Sequence, residues 1–363
     1  MRSTTLLNLT FLIVSLTACS SSQLKFEKVE ELKKNTEFEK EVQIVKTDEP
    51  VLKESPATEK SHAESPVLAT VPEPQKNLPP PSKKTATKKA VVKKGGAIMK
   101  ENAPPAVIPV RQPELEDHVG FEGDSRRPIA DPFRVGEDVV HDVHYFKVSA
   151  GTLRFKVEPF SIVNGRKSYT YAMEIKTSPL FSSFYSVDDR VETFVDYEDL
   201  VPRVFQLHVK ETNQLREAKM LFNTETNTAK FWEKKVTKAD GEEEKRQEWE
   251  ILPFTQNVYS AIFYMRNFQW EVGKEYAFRV GNDKENLVFS GKAVRREVLD
   301  TKLGPMKAIV VQINVVLKGK FKPIGDNFIW LSDDDRKFIL RIESKIKIGS
   351  LVSEVISLSP GKN

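Results

Sequence analysis

Tyr169-Thr170-Tyr171-Ala172-Met173-Glu174-Ile175-Lys176 decides the fold of this chain. Large apolar side chains fall at every second position, with small, polar or charged residues between them. That spacing is the signature of a strand whose side chains point alternately into a core and out to water. The same rhythm extends outward in both directions. Leu153, Phe155 and Val157 alternate with Arg154, Lys156 and Glu158, and Tyr276, Phe278 and Val280 lead on to Leu287 and Phe289. Ile309, Val311, Ile313 and Val315, then Phe338, Leu340 and Ile342, close the series. Asn164-Gly165, Asp240-Gly241 and Pro323-Ile324-Gly325-Asp326 fall between such runs and read as turns.

One segment breaks the rhythm. Between Pro253 and Asn267, Val258, Ala261, Ile262 and Met265 recur at helical spacing, with Thr255 or Asn257 placed to cap. The expected architecture is therefore all-β: an antiparallel curled sheet of about ten strands forming a barrel or half-barrel, with one packed helix. A two-sheet sandwich is the alternative. Residues 129–363 suffice to bury one sizeable core.

The N-terminal third reads differently. Residues 1–18 have a basic start at Arg2, an apolar run through Leu6-Leu7 and Phe11-Leu12-Ile13-Val14, and then small residues before Cys19. This is an export signal, too short to span a bilayer as a helix. Leu16-Thr17-Ala18-Cys19 resembles a bacterial lipobox, which implies that Cys19 carries the lipids and begins the mature protein. Ser20 after it resembles the sorting signal of outer-membrane lipoproteins in diderm bacteria. Cys19 is the only cysteine in 363 residues, so neither an intrachain disulfide nor a cysteine metal site is available.

Residues 19–128 have the composition of a long, disordered Lys/Pro-rich tether. Ser20–Glu64 is mildly acidic, with eight Lys against eleven Asp and Glu, whereas Pro66–Arg111 carries eight Lys and one Arg against Glu73 and Glu101. Lysine pairs recur at five-residue intervals: Lys83-Lys84, Lys88-Lys89 and Lys93-Lys94. They suit a solvated spacer or a contact with anionic lipid head groups or cell-wall carboxylates. No nucleic-acid partner is expected for an exported chain. A coil of this length spans ~55 Å root-mean-square, enough to let the domain search away from its anchor. Phe26 and Phe38 are aromatic exceptions within a mixed-charge stretch from Lys25 to Lys46 that predicts a transient, solvated helix.

Candidate chemistry is sparse. His141 and His144 form H-x-x-H, but positions i and i+3 of a strand face opposite sides, so a shared metal is not expected. His208 alternates with Leu207 and Val209 and reads as outward-facing. Asp333-Asp334-Asp335 lacks the spacing and glycine of a calcium loop and reads as an acidic turn. No G-x-S-x-G elbow, phosphate-binding glycine loop or H-E-x-x-H helix occurs. Neither a cofactor nor an enzymatic activity is expected, although an envelope hydrolase using paired carboxylates is a remote alternative. Arg266, at the end of the predicted helix, suits a buried carboxylate partner.

Phe254, Tyr259, Phe263, Tyr264, Phe268 and Trp270 gather around that helix, mostly as core. Some would line an apolar groove beneath it if the barrel is open.

Three blocks carry a family resemblance. Gly136-Glu137-Asp138, His144-Tyr145-Phe146-Lys147 and Ala150-Gly151-Thr152-Leu153 resemble the opening of the exported domain-of-unknown-function family 3108. Asn257-Val258-Tyr259-Ser260-Ala261-Ile262-Phe263-Tyr264-Met265-Arg266, followed by Gly273, resembles its helix. Ile329-Trp330-Leu331-Ser332-Asp333-Asp334, Arg341-Ile342 and Gly349 resemble its closing hairpin. Asn257 stands where the family commonly has aspartate, and the usual proline near Ile339 is absent. The resemblance implies an all-β exported domain and no assigned activity.

The function expected from these features is that of an outer-membrane-anchored periplasmic lipoprotein. It would bind a lipid, an envelope component or a partner protein without catalysis, with Tyr259, Phe263, Arg266 and Trp330 as candidate ligand contacts. The alternative is an envelope scaffold acting through Lys83, Lys84, Lys88, Lys89, Lys93 and Lys94.

Overall fold

The computed structural model describes residues 32, 35–47, 127–128, 130–282, 284–315, 326–345 and 349–362. Cys19 and the six paired lysines lie outside the described residues.

Alternation is realised as one antiparallel sheet. In chain order its strands are β1 (Ile44–Lys46), β2 (Glu137–Tyr145), β3 (Val148–Val163), β4 (Arg166–Thr177), β5 (Asp188–Asp196), β6 (Pro202–Glu211), β7 (Gln214–Asn223) and β8 (Thr228–Thr237). They continue as β9 (Gly241–Glu250), β10 (Glu275–Asn282), β11 (Glu285–Thr301), β12 (Gly304–Val315), β13 (Asn327–Ser332), β14 (Ile339–Lys345) and β15 (Ser350–Pro360). The hydrogen-bonded order is β10-β11-β12-β13-β14-β15-β2-β3-β4-β5-β6-β7-β8-β9, with β1 added to β3.

The strands exceed the ten expected because β7, β8 and β9 are so rich in Lys, Arg and Glu that their apolar face is thin. All strands among the described residues belong to this one sheet, so the sandwich alternative does not hold. The sheet bends at register shifts in β3, β6, β11, β14 and β15, where an extra residue turns the strand.

From β2 onward, neighbours in sequence are neighbours in the sheet except at two places. The final strand β15 pairs with β2, and β9 and β10 are left as the two edges. The segment joining those edges contains the expected helix, α3 (Val258–Tyr264), followed by a 3-10 turn (Met265–Asn267). Asn257 caps α3, its side chain accepting from Tyr259 N and Ser260 N while Ser260 Oγ accepts from Asn257 N. Its Nδ2 also donates to Thr193 Oγ1 at 2.8 Å, a bond that the family's aspartate lacks the proton to make. Gln256 runs along the β10 edge, donating to Arg279 O and accepting from Gly281 N. A further short helix, α2 (Pro179–Ser182), lies between β4 and β5, so the helix expected from sequence has company.

Gly151 has a steric reason to lack a side chain. A Cβ there would lie 2.2 Å from Lys176 O on the paired strand β4.

The expectation for the tether fails at residues 35–47. Here α1 (Thr36–Glu41) and β1 form a strap against the outer face of the sheet. Phe38 is 2 % exposed and Val42 is buried, in a cluster with Val163, Phe194, Val204 and Trp232 that is separate from the inner core. The helix is held because Asn35 caps it and because one aromatic finds an apolar site, which composition alone does not reveal.

Candidate ligand cavity

The interior of the curl is filled unevenly. Beneath the C-terminal part of α3, Phe263 stacks on Tyr171 with centroids 4.4 Å apart, and Tyr264 meets Phe268 and Phe278 edge-on. Arg266 is 2 % exposed and follows directly in the 3-10 turn. Its Nη1 donates to Glu137 Oε1 at 2.6 Å and its Nη2 to Glu137 Oε2 at 3.0 Å. Arg336 Nη2 donates to the same Glu137 Oε2 at 2.8 Å. This bidentate pair ties the end of α3 to the start of β2 and to the β13–β14 turn. The carboxylate partner expected for Arg266 is thus Glu137.

Beneath the N-terminal part of α3 the inner faces of β6–β9 leave a cavity of about 340 Å³. Alternation aims Phe205, Leu207, Met220, Phe231 and Trp249 into it, and Tyr259 roofs it, stacked on Phe205 at 5.4 Å. Burial pushes the Tyr259 hydroxyl pKa up, so it stays protonated.

Charged groups stand among these rings. Arg216 pairs with Glu233, and Lys245 lies 5.7 Å from the Phe231 centroid. Two buried polar atoms of β9, Gln247 Oε1 and Trp249 Nε1, have no hydrogen-bond partner among the described residues. Both residues line the cavity. One is an acceptor and the other a donor, two residues apart on one face of an edge strand.

Of the four candidate contacts, the structure places only Tyr259 at the cavity. Phe263 is core, Arg266 is consumed by Glu137, and Trp330 is buried in the wall with its Nε1 donating to Glu297 Oε1 at 2.6 Å. Phe263, Arg266 and Trp330 are therefore corrected as ligand contacts, because their faces and protons are already engaged. The residues that replace them come from β7–β9. The signal was present: Lys245, Gln247 and Trp249 alternate with Glu244, Arg246 and Glu248 within a run that otherwise reads as charged surface.

A larger hollow of about 770 Å³ lies outside, between the strap and β6–β9. Its polar groups are already paired, Lys219 with Glu39, Lys234 with Glu242 and His208 with Glu217. The inner cavity is the better site because two of its polar atoms, Gln247 Oε1 and Trp249 Nε1, have no partner among the described residues.

His141 points inward. Its Nε2 donates to Ile339 O at 2.8 Å, which fixes the tautomer and makes Nδ1 the acceptor from Ser353 Oγ at 3.1 Å. His144 pairs with Asp142 instead. Near the open end of β5, burial and the neighbouring Glu211 raise the Asp189 carboxyl to about 6. Glu211 accepts from Tyr185 and Gln214, and Asp189 from Lys210 N, so both acids are engaged within the protein.

The fold and cavity define a class: an open, curled, all-β protein with a helix across its seam and an amphipathic hollow beneath it. A family described as "Protein of unknown function (DUF3108)" matches residues 140–356, and the chain belongs to that family. No curated protein matches the chain. A β-barrel-like protein of domain of unknown function DUF1849 from Brucella abortus is similar at 10 % identity and TM-score 0.39, over 62 % of this chain and 97 % of that one. A protein from Bacteroides fragilis, described as exported with a YmcC-like fold, gives 10 % and 0.30 over 63 % and 97 %. A protein from Parabacteroides distasonis, described as a lipoprotein, gives 11 % and 0.28 over 62 % and 95 %. Likeness of this degree carries no functional argument.

Proposed function

We propose that this protein is a lipid-anchored envelope protein whose domain binds, without catalysis, a small amphiphile in the cavity under α3. The observation that carries this reading is the pairing of an aromatic floor with two buried, unpartnered polar atoms, Gln247 Oε1 and Trp249 Nε1. A buried polar group left unpaired costs about 1–3 kcal/mol, a cost relieved by a ligand presenting a donor beside an acceptor. The volume falls at the small end of ligand sites, which run roughly 300–1,000 Å³. The anchor follows from Leu16-Thr17-Ala18-Cys19, and Ser20 favours the outer membrane, facing the periplasm. No described helix is long and apolar enough to cross a membrane.

Native mass spectrometry of the protein purified from its own envelope tests the binding. The expected result is a bound species that Leu207→Trp, which fills the cavity, displaces. The same spectrum for both proteins, with no adduct in either, overturns the cavity reading and leaves the scaffold alternative through the paired lysines. Loss of the N-terminal acyl mass in Cys19→Ser tests the anchor separately.

A further inference from the structure

We propose that the strap, residues 35–47, pins the domain beside its membrane anchor and makes the outer wall around Trp232 the membrane-proximal face. This inference rests on the lipid anchor of the preceding section for its membrane part alone. Asn35 lies only sixteen residues after Cys19. Those residues span at most ~55 Å even when fully extended, whereas the chain from Cys19 to Arg127 would allow ~370 Å.

The strap's docking is specific. The Phe38 ring meets Trp232 edge-on at 5.8 Å, with Lys219 Nζ 4.6 Å from the Phe38 centroid. Ile44–Lys46 pairs in register with Ser161–Val163, and Gln43 N donates to Asn164 Oδ1 at 2.8 Å. All three acids of α1 find cations on the wall: Glu37 with Arg246, Glu39 with Lys219 and Glu41 with Lys230. Lys46 reaches Glu192 at 2.7 Å, and Trp232 Nε1 donates to Glu37 at 3.0 Å.

The chain rejoins the domain at Arg127, which donates to Tyr197 O at 2.8 Å and lies over the Tyr197 ring. Residues 48–126 are therefore bounded by the domain at both ends and contribute nothing to its reach. The lysine pairs belong to that closed segment and are not a spacer between membrane and domain.

Cutting the chain within the closed segment decides the matter. A specific protease site is placed between Gln75 and Lys76, and the full lipidated chain is cleaved in isolated membranes. The C-terminal fragment is expected to stay with the membranes, held by the strap. Phe38→Asp is expected to send about tenfold more of it to the supernatant, since each ~1.4 kcal/mol of lost docking is tenfold. Glu39→Lys with Glu41→Lys, which leaves the buried ring in place, is expected to give a smaller release that falls as salt screens the new repulsion from Lys219 and Lys230. Equal release from the wild type and Phe38→Asp overturns the proposal.

The same cut in a chain produced from Ser20 onward separates the two readings. Co-elution of both fragments in gel filtration at micromolar concentration supports the strap whether or not Cys19 is acylated. Separate elution overturns the strap. An uncut chain absent from membranes counts against the anchor alone.

Discussion

On one side of α3 the inner faces of β4, β10 and β11 are filled by Phe263, Tyr264, Phe268 and Phe278, stacked or edge-on at 4.4–5.8 Å. On the other side the equally alternating inner faces of β6–β9 surround open space. The strands obey one rule in both halves, so the difference comes from what stands opposite. A seven-residue helix is only about 10 Å long and cannot cover the full width of the curl. Its second half and Phe268, just past the 3-10 turn, supply large rings to one side, and its first turn offers the other side Val258 and Tyr259. Alternation settles which face a residue occupies. Whether that face is packed depends on the reach of the element above it.

The contrast is sharpened most by attacking the packed half. Glu137→Ala leaves Arg266 and Arg336 without their shared carboxylate, and a broken buried pair costs about 3–5 kcal/mol. Chemical denaturation should show the midpoint falling with little change in slope. A midpoint like that of the wild type would mean that the pair is dispensable and that ring packing alone holds this half.

Next comes pH. Burial holds the His141 imidazole near 4, so the folded state takes up a proton later than the unfolded one as pH falls. Stability is lost between about 6.5 and 4, by about 3 kcal/mol across that range. Asp189, raised to about 6, acts in the opposite sense: the folded state keeps its proton longer, and stability falls as pH rises from about 4 towards 6. Thermal melts of His141→Gln should lose most of the acid-side slope. An unchanged slope would assign it to other groups.

The smallest effect, a difference of about 2 kcal/mol between two variants, is the most direct comparison of the halves. Phe263→Ala should cost about 3–5 kcal/mol, the usual penalty for a large hole in a packed core. Tyr259→Ala should cost about 2 kcal/mol less, because one side of its ring already faces a void. Equal costs in parallel denaturant titrations would mean that the cavity closes in solution.

Much of the architecture was legible in the residues. The opening run from Tyr169 to Lys176 is strand β4, Asn257 is the cap of α3, and Arg266 meets the acid it was expected to need. The cavity was legible only at Tyr259. Partner registers decide that Phe205, Met220, Phe231 and Gln247 share a row, and those registers are long-range facts. The strap escaped for a related reason. Phe38 is one aromatic in a polar stretch, and its burial depends on Trp232, almost two hundred residues away.

The pairing of β15 with β2 governs when this protein acquires its shape. Leu351–Pro360 is the strip that joins the early hairpins β2–β9 to the late ones β10–β14. Until it arrives, β2 and β14 each present an open edge, and the two groups of hairpins are joined only through the segment that carries α3. A chain emerging N-terminus first can pair β2 through β9 in passing, but it cannot complete the sheet until its last strand is free. Completion of the sheet is therefore late, and a chain truncated before Ser350 would expose β2 and β14 as two further edges beside β9 and β10 rather than form a smaller working domain.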